Sequence, residues 1–146
     1  MGQILADLHA NPDLRKAGAI LSFIGIVRGE THDGDKVDYL RYDAYEEKAV
    51  EVMEAIRADT LRKEGIIDVH IHHVVDTENL EVGDEVLYVV VAGRFRKDVF
   101  VVLRDTVERV KSEVPIYKKE RLTDGSSYWV AEDFNRPVKV ASKTVG

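Results

Sequence analysis

Residues 97–120 read KDVFVVLRDTVERVKSEVPIYKKE, and this stretch decides the fold. Its apolar positions Val99, Phe100, Leu103, Val107, Val110 and Val114 are 1, 3, 4, 3 and 4 apart, the spacing of one helix face. Pro115 ends that helix, because a residue before proline is pushed out of the α region. Ile116 to Leu122 then reads as a strand. Thr123-Asp124-Gly125-Ser126 reads as a turn, and Ser127 to Ala131 as the second strand of a hairpin. A long amphipathic helix thus runs directly into antiparallel structure.

Working outward, Glu46 to Glu64 is a second helix, with Ala49, Val50, Met53, Ile56, Thr60 and Leu61 at helical spacing. Glu46 and Glu47 at its start and Arg62 and Lys63 at its end suit the helix dipole, and Gly65 suits the turn beyond. Ala19 to Val27 is almost continuously apolar and predicts an interior strand covered on both faces. Arg28-Gly29 ends it, and Glu30 to Lys36 is a polar loop. Val37 to Tyr45 alternates as a strand does. Ile67 to Val75 is another strand, Val82-Gly83-Asp84 a turn, and Glu85 to Ala92 a strongly apolar strand. Ile4 to Leu14 predicts only one or two helical turns. The order β-β-α-β-β-α-β-β is α+β, with two main helices and mixed or antiparallel strands. No repeat or linker divides the 146 residues, so a single domain over 1–146 is expected, with 133–146 as a flexible tail.

The chain has no cysteine, which excludes a disulfide framework, a cysteine-bound metal and a thiol nucleophile of its own. No apolar run is of membrane-spanning length, and a cytoplasmic protein is expected. The formal net charge is −6, which argues against a general nucleic-acid binder. The charge is uneven. Arg94 to Arg121 holds nine bases and five acids, a local +4 against −10 for the remainder. Such an island suits a local anion site, or else a solvated basic helix face.

Several residues within and near the island could carry chemistry. Lys111 lies late in the helix and Lys118 follows the proline break, so the chain reversal brings both ammonium groups toward one corner. Two convergent lysines bind phosphate or carboxylate, and crowding frees one for proton transfer or nucleophilic attack. The same spacing also fits a helix-terminal cation and a surface strand lysine. Arg94-Phe95-Arg96-Lys97, at a strand-to-helix junction, fits anion binding or a solvated connector. Arg28, the first charge after an apolar strand, fits ligand contact or strand termination. His70, His72 and His73 form a cluster in which His70 and His72 share a strand face with Asp68, an arrangement open to metal but more economically a solvent face. Tyr39, Tyr42, Tyr45, Tyr117, Tyr128 and Trp129 read as core or subunit-contact residues.

In series, these segments resemble the large, catalytic subunit of molybdopterin synthase. The resemblance runs from about Ile4 to Val130. It is carried by Gly18-Ala19 with Phe23-Ile24-Gly25-Ile26-Val27-Arg28, by Leu40-Arg41-Tyr42-Asp43-Ala44-Tyr45, and by Gly83-Asp84. Lys111-Ser112-Glu113-Val114-Pro115-Ile116-Tyr117-Lys118-Lys119-Glu120 is the strongest part, followed by Gly125 and Trp129. It implies an α+β, α/β-hammerhead-type fold and a homodimer at the centre of a heterotetramer. Each large subunit then binds a small ubiquitin-like partner with a C-terminal Gly-Gly thiocarboxylate. The implied reaction is sulfur transfer to cyclic pyranopterin monophosphate, in two rounds, to build the dithiolene of molybdopterin. Sulfur arrives on the partner, so the chain is expected to need no cofactor and no metal. Lys111 and Lys118 match the family's active-site lysines. Val27, Arg28, Arg96, Lys119 and Glu120 join them as implied substrate-binding residues, with Arg96 open to service from a neighbouring subunit. The chain departs from the family in having Phe95 where a histidine is usual. It also has His72-His73-Val74-Val75 in place of a His-Arg-x-Gly pattern, and Asp133 or Arg136 near a family arginine. A diverged, non-catalytic module that binds the Gly-Gly tail is the second reading.

Overall fold

The computed structural model describes residues 1–75, 77–132 and 137–141. Helix α1 (Gly2–Ala10) and a 3₁₀ turn (Pro12–Lys16) lead into β1 (Ala19–Ile26) and β2 (Val37–Ala44). Then come α2 (Glu46–Leu61), β3 (Ile66–His73), β4 (Thr77–Glu81) and β5 (Glu85–Gly93). Helix α3 (Arg96–Glu113) precedes β6 (Ile116–Leu122), β7 (Ser127–Glu132) and β8 (Pro137–Ala141). The strands form two antiparallel sheets, ordered β1-β5-β3 and β4-β2-β6-β7-β8. The α+β class expected from the element order is the one observed.

Central position in the first sheet goes to β5, whose Val86, Leu87, Val89, Val90, Val91 and Ala92 are all buried. One face packs with α2 and α3 into a core that also takes in Leu40, Tyr42 and Leu80 of the second sheet. The other face is covered by Ile4 and Leu8 of α1, which pack on Val90 and Ala92. The expectation that β1 is covered on both faces is therefore corrected. It is an edge strand with alternating exposure, and Ile20, Ile24 and Ile26 lie open because α1 sits over its neighbours.

Other expectations shift less. The opening helix starts at Gly2, earlier than the reading from Ile4. Helix α2 ends at Leu61, with Arg62 as its cap, and the chain turns through Gly65 at φ +79°. That left-handed conformation costs glycine little. Within the helices, Val50 and Phe100 are exposed rather than buried, and Val102 and Thr106 take core positions on α3. Strands β4 and β8 had no counterpart in the reading. In particular 137–141 pairs with β7, within the stretch expected to be a tail, while 133–136 and 142–146 lie outside the described residues.

The second sheet is assembled by a long-range pairing. β2 runs antiparallel to β6, with Leu40 opposite Glu120 and Tyr42 opposite Lys118. The first sheet is likewise closed at a distance, with Ala19 of β1 opposite Gly93 of β5. At that corner Gly18 donates to the Gly93 carbonyl at 2.8 Å, and a Cβ on Gly18 would stand 2.4 Å from the Arg94 oxygen. No larger residue fits there without moving backbone.

Candidate active site

Strand alternation determines which side chains of the second sheet face inward. On β6 these include Lys118 and Glu120; on β2 they are Leu40 and Tyr42. They form one wall of a cleft of about 640 Å³. Residues 23–29, at the end of β1 and just beyond it, form another wall, and Val82 and Gly83 close the rim. Lys111 lines the same cleft from the last turn of α3. It does so because the helix stops where the proline requires. Val114 adopts φ −78°, ψ 126°, extended backbone, and the chain turns back into β6.

The rim is held by backbone bonds. Val27 donates to the Asp84 carbonyl at 2.9 Å and accepts from Gly83 at 2.8 Å. Gly83 has φ +92°, a conformation L side chains rarely adopt. Arg28 Nε donates to the Glu30 carbonyl at 3.0 Å, which orients its guanidinium.

Among the described residues lining the cleft, the charged groups are a cation cluster around one carboxylate. Glu120 is buried, and its Oε1 lies 3.9 Å from Lys118 Nζ, an ion pair longer than a hydrogen bond. Arg28, Lys111 and Lys118 outweigh it, so the cleft attracts anions and stabilises negative charge that develops on a bound group.

Tyr42, Lys111 and Lys118 also line an adjoining cavity of about 330 Å³, together with His73, Val130 and the chain from Val110 through Tyr117. Tyr42 and His73 meet edge to face, ring centroids 5.2 Å apart at 85°. His73 Nδ1 donates to the Val74 carbonyl at 2.6 Å. From sequence Tyr42 reads as a core or contact aromatic and His73 as part of the histidine cluster, and neither is expected beside the lysine pair. The signal for His73 was available: alternation puts it on the strand face opposite His70 and His72.

Of the residues expected at the site, Val27, Arg28, Lys111, Lys118 and Glu120 come together. Lys119 does not. It points to the outer face of the sheet, with Nζ 5.4 Å from the centre of the Trp129 ring. Arg96 is the first residue of α3, exposed, and about 22 Å along the helix axis from Lys111 at 1.5 Å per residue. Its neighbour Phe95 is also exposed, 6.0 Å from the Arg94 guanidinium. Asp133 and Arg136 lie outside the described residues.

The histidine strand is not the simple solvent face expected. His70 is half-buried and bonds Asp68 at 3.3 Å, and Asp68 is buried with Asn11 Nδ2 at 3.2 Å. His70 and His72 stack in parallel at 6.3 Å. Burial, then the neighbouring His70, lowers the His72 pKa from its ordinary value. Among the described residues no three His, Cys, Asp or Glu side chains converge as metal ligands. No helix among them is long and apolar enough to cross a membrane.

The MoaE protein family model matches residues 3–113. The molybdopterin synthase catalytic subunit of Pyrococcus abyssi is 39% identical over 122 residues, covering 84% of this chain and 80% of that protein. The catalytic subunit of the same name from Nostoc sp. is 36% identical over 128 residues, covering 87% and 76%. Among solved structures, molybdopterin synthase from Staphylococcus aureus superimposes with a TM-score of 0.68 at 34% identity, covering 78% of this chain and 80% of that one.

Proposed function

The chain belongs to the MoaE protein family, and from that premise we propose that it is the catalytic subunit of a molybdopterin synthase, a sulfurtransferase. It takes sulfur from the thiocarboxylated Gly-Gly tail of a small ubiquitin-like partner and delivers it to cyclic pyranopterin monophosphate. Two rounds complete the dithiolene. Two copies of the chain form the centre of a heterotetramer, each holding one partner. The setting is cytoplasmic, a compartment whose reducing conditions preserve such sulfur species.

The observation that carries this reading is the single cleft holding Arg28, Lys111 and Lys118 in a chain without cysteine. Both reactants are anionic, a thiocarboxylate and a phosphate ester, and both would be drawn to such a cleft. Lys111 stabilises the negative charge that develops as sulfur attacks carbon. Lys118, kept beside the Glu120 carboxylate, binds substrate and relays protons. Val27 and Arg28 line the entry. Arg96, remote from the cleft of its own chain, serves that of the second copy.

The test mixes this protein, a thiocarboxylated small partner and cyclic pyranopterin monophosphate, and measures dithiolene product. Product is expected, and Lys111→Ala lowers turnover by about 100-fold or more with folding intact. A well-formed complex that yields no product overturns the reading in favour of a module that only holds the tail.

A further inference from the structure

We propose that the open edge of β1 is the docking strand of this site: the partner's C-terminal tail adds to it as an extended strand, and the tail's anionic end reaches Arg28, Lys111 and Lys118. The proposal rests on the synthase reading above and says how the tail is held. It starts from an edge that lacks protection. Among the described residues β1 pairs with β5 on one side only. Its eight residues, Ala19–Ile26, include no charge and no proline. Exposed edge strands pair readily with other chains, and charges, prolines or short length usually blunt them. The other sheet edges among the described residues follow that rule. β3 carries Asp68 and three histidines, β4 has five residues and ends at Glu81, and β8 starts at Pro137 and includes Lys139. On β1 apolar side chains stand in the open instead, with Ile24 40% and Ile26 58% exposed.

The cleft shows where an added strand leads. Phe23, Ile24, Gly25 and Ile26 line it in succession. Successive side chains of a strand point to opposite faces, so a space bordered by four in a row borders the edge of the strand. Every second residue of an edge strand directs its N–H and C=O away from its one neighbour. The ladder with β5 slips between Gly25 and Ile26, a bulge that ends regular pairing just before the cations. Beyond it the Val27 backbone is taken by Gly83 and Asp84. An added strand therefore pairs up to Gly25, and its last residues leave the ladder at the bulge. Gly29 and Gly83 line the cleft there. Walls without side chains let another backbone approach closely, and a Gly-Gly terminus brings no side chain of its own.

Charge selects the occupant and its direction. The cleft carries Arg28, Lys111 and Lys118 at the end the edge leads to, and these complement an anionic chain terminus. Arg28 follows the C-terminal end of β1, so the tail runs parallel to that strand. A pterin has no run of amides to answer a strand edge, whereas a peptide has one per residue. The β1 edge of a second copy has the amides but brings no anion to the cations. Only an extended peptide with a negative end satisfies both parts of the groove. Main-chain bonds supply the hold, so the upstream side chains of the tail matter less than its backbone.

The experiment uses the full chain. Its probe is a small ubiquitin-like partner protein ending in Gly-Gly with an ordinary carboxylate, its last residues attached by peptide ligation. Amide-to-ester replacement removes one tail N–H at a time without adding bulk, and binding is read by titration calorimetry. Across the four residues before Gly-Gly the loss should alternate, about five-fold where the N–H points to β1 and less than about two-fold at its neighbours, the size of one main-chain hydrogen bond. Equal losses at every position, or none, overturn the proposal. Amide hydrogen exchange of residues 20–25 is followed by NMR with and without the probe. The amides not bonded to β5 should exchange fast in the free chain and slow by about ten-fold or more in the complex. Unchanged exchange overturns the proposal. So does protection that is present in the free chain and grows with its concentration, which gives the edge to a second copy. Neither readout needs turnover. A protected edge in a complex that transfers no sulfur faults the synthase reading and leaves the docking strand standing, and sulfur transfer with an unprotected edge does the reverse.

Discussion

The two faces of β6 carry nearly the same chemistry and put it to different uses. Lys118 and Glu120 face inward and line the cleft with Arg28 and Lys111. Lys119 and Arg121 face outward, where each cation lies over an aromatic ring, Trp129 at 5.4 Å and Tyr39 at 5.1 Å. Adjacent lysines thus differ only in strand parity. The outward ones lie over rings of their own sheet, while Lys118, beside Glu120, lines the concave wall of the cleft. Position relative to the pleat, not residue type, separates a structural cation from a reactive one.

That contrast can be broken most directly at its centre. Lys118→Ala should lower sulfur transfer by about 100-fold or more, the usual size of a lost proton-transfer group. Lys119→Ala should stay within a few-fold of wild type. Equal losses in single-turnover assays would erase the distinction between the faces. Next in size is Glu120→Ala. Removing a buried carboxylate beside an ammonium should cost about 1–3 kcal/mol in urea unfolding, more than any outward substitution. Lys119→Ala should cost at most about 1 kcal/mol, the scale of one cation–π contact.

The smallest expected effect concerns charges on neither face. Arg109 reaches Glu113 with Nε at 2.6 Å and Asp59 of α2 with Nη1 at 3.1 Å. Hydrogen bonds from Arg109 hold both carboxyls below their ordinary range, with Arg62 adding to the effect on Asp59. A depressed carboxyl contributes stability that is present above its unfolded pKa and lost as pH falls through its folded one. The difference in unfolding midpoint between wild type and Arg109→Gln should therefore be small at pH 7 and shrink below the usual carboxylate range near about pH 4. A difference that grows in acid would contradict the ion-pair account.

The sequence made the helices and the lysine pair legible because both rest on local rules. Helical spacing with a terminal proline located α3, and the same proline explains why Lys111 and Lys118 share a cleft. Whether an apolar strand is central or at an edge depends on sheet order, which spacing does not contain. Ala19–Ile26 and Glu85–Gly93 look alike in composition, yet only β5 has a neighbour on each side. Strands β4 and β8 are short, and pairing with partners distant in sequence, or across 133–136, defines them. Tyr42 and His73 are less legible for a related reason. Tyr42 reads as one of the core or contact aromatics and the histidines read as one cluster, although parity divides them. Lys119 is expected at the site from the resemblance, and strand parity places it on the face opposite Lys118.

The long-range pairings have a consequence for how the protein is made. The cleft draws on residues after β1, on β2, and on the α3–β6 corner, and β2 meets β6 only once Val37 stands opposite Leu122. Topologies of this kind have high contact order, and their loop-closure entropy must be overcome before the contacts stabilise the chain. A nascent chain released before β6 contains the helices and every strand of the first sheet, but it holds no cleft. The cleft is thus absent until β6 has been made and paired with β2, so a shorter nascent polypeptide offers no half-formed pocket to a partner's tail.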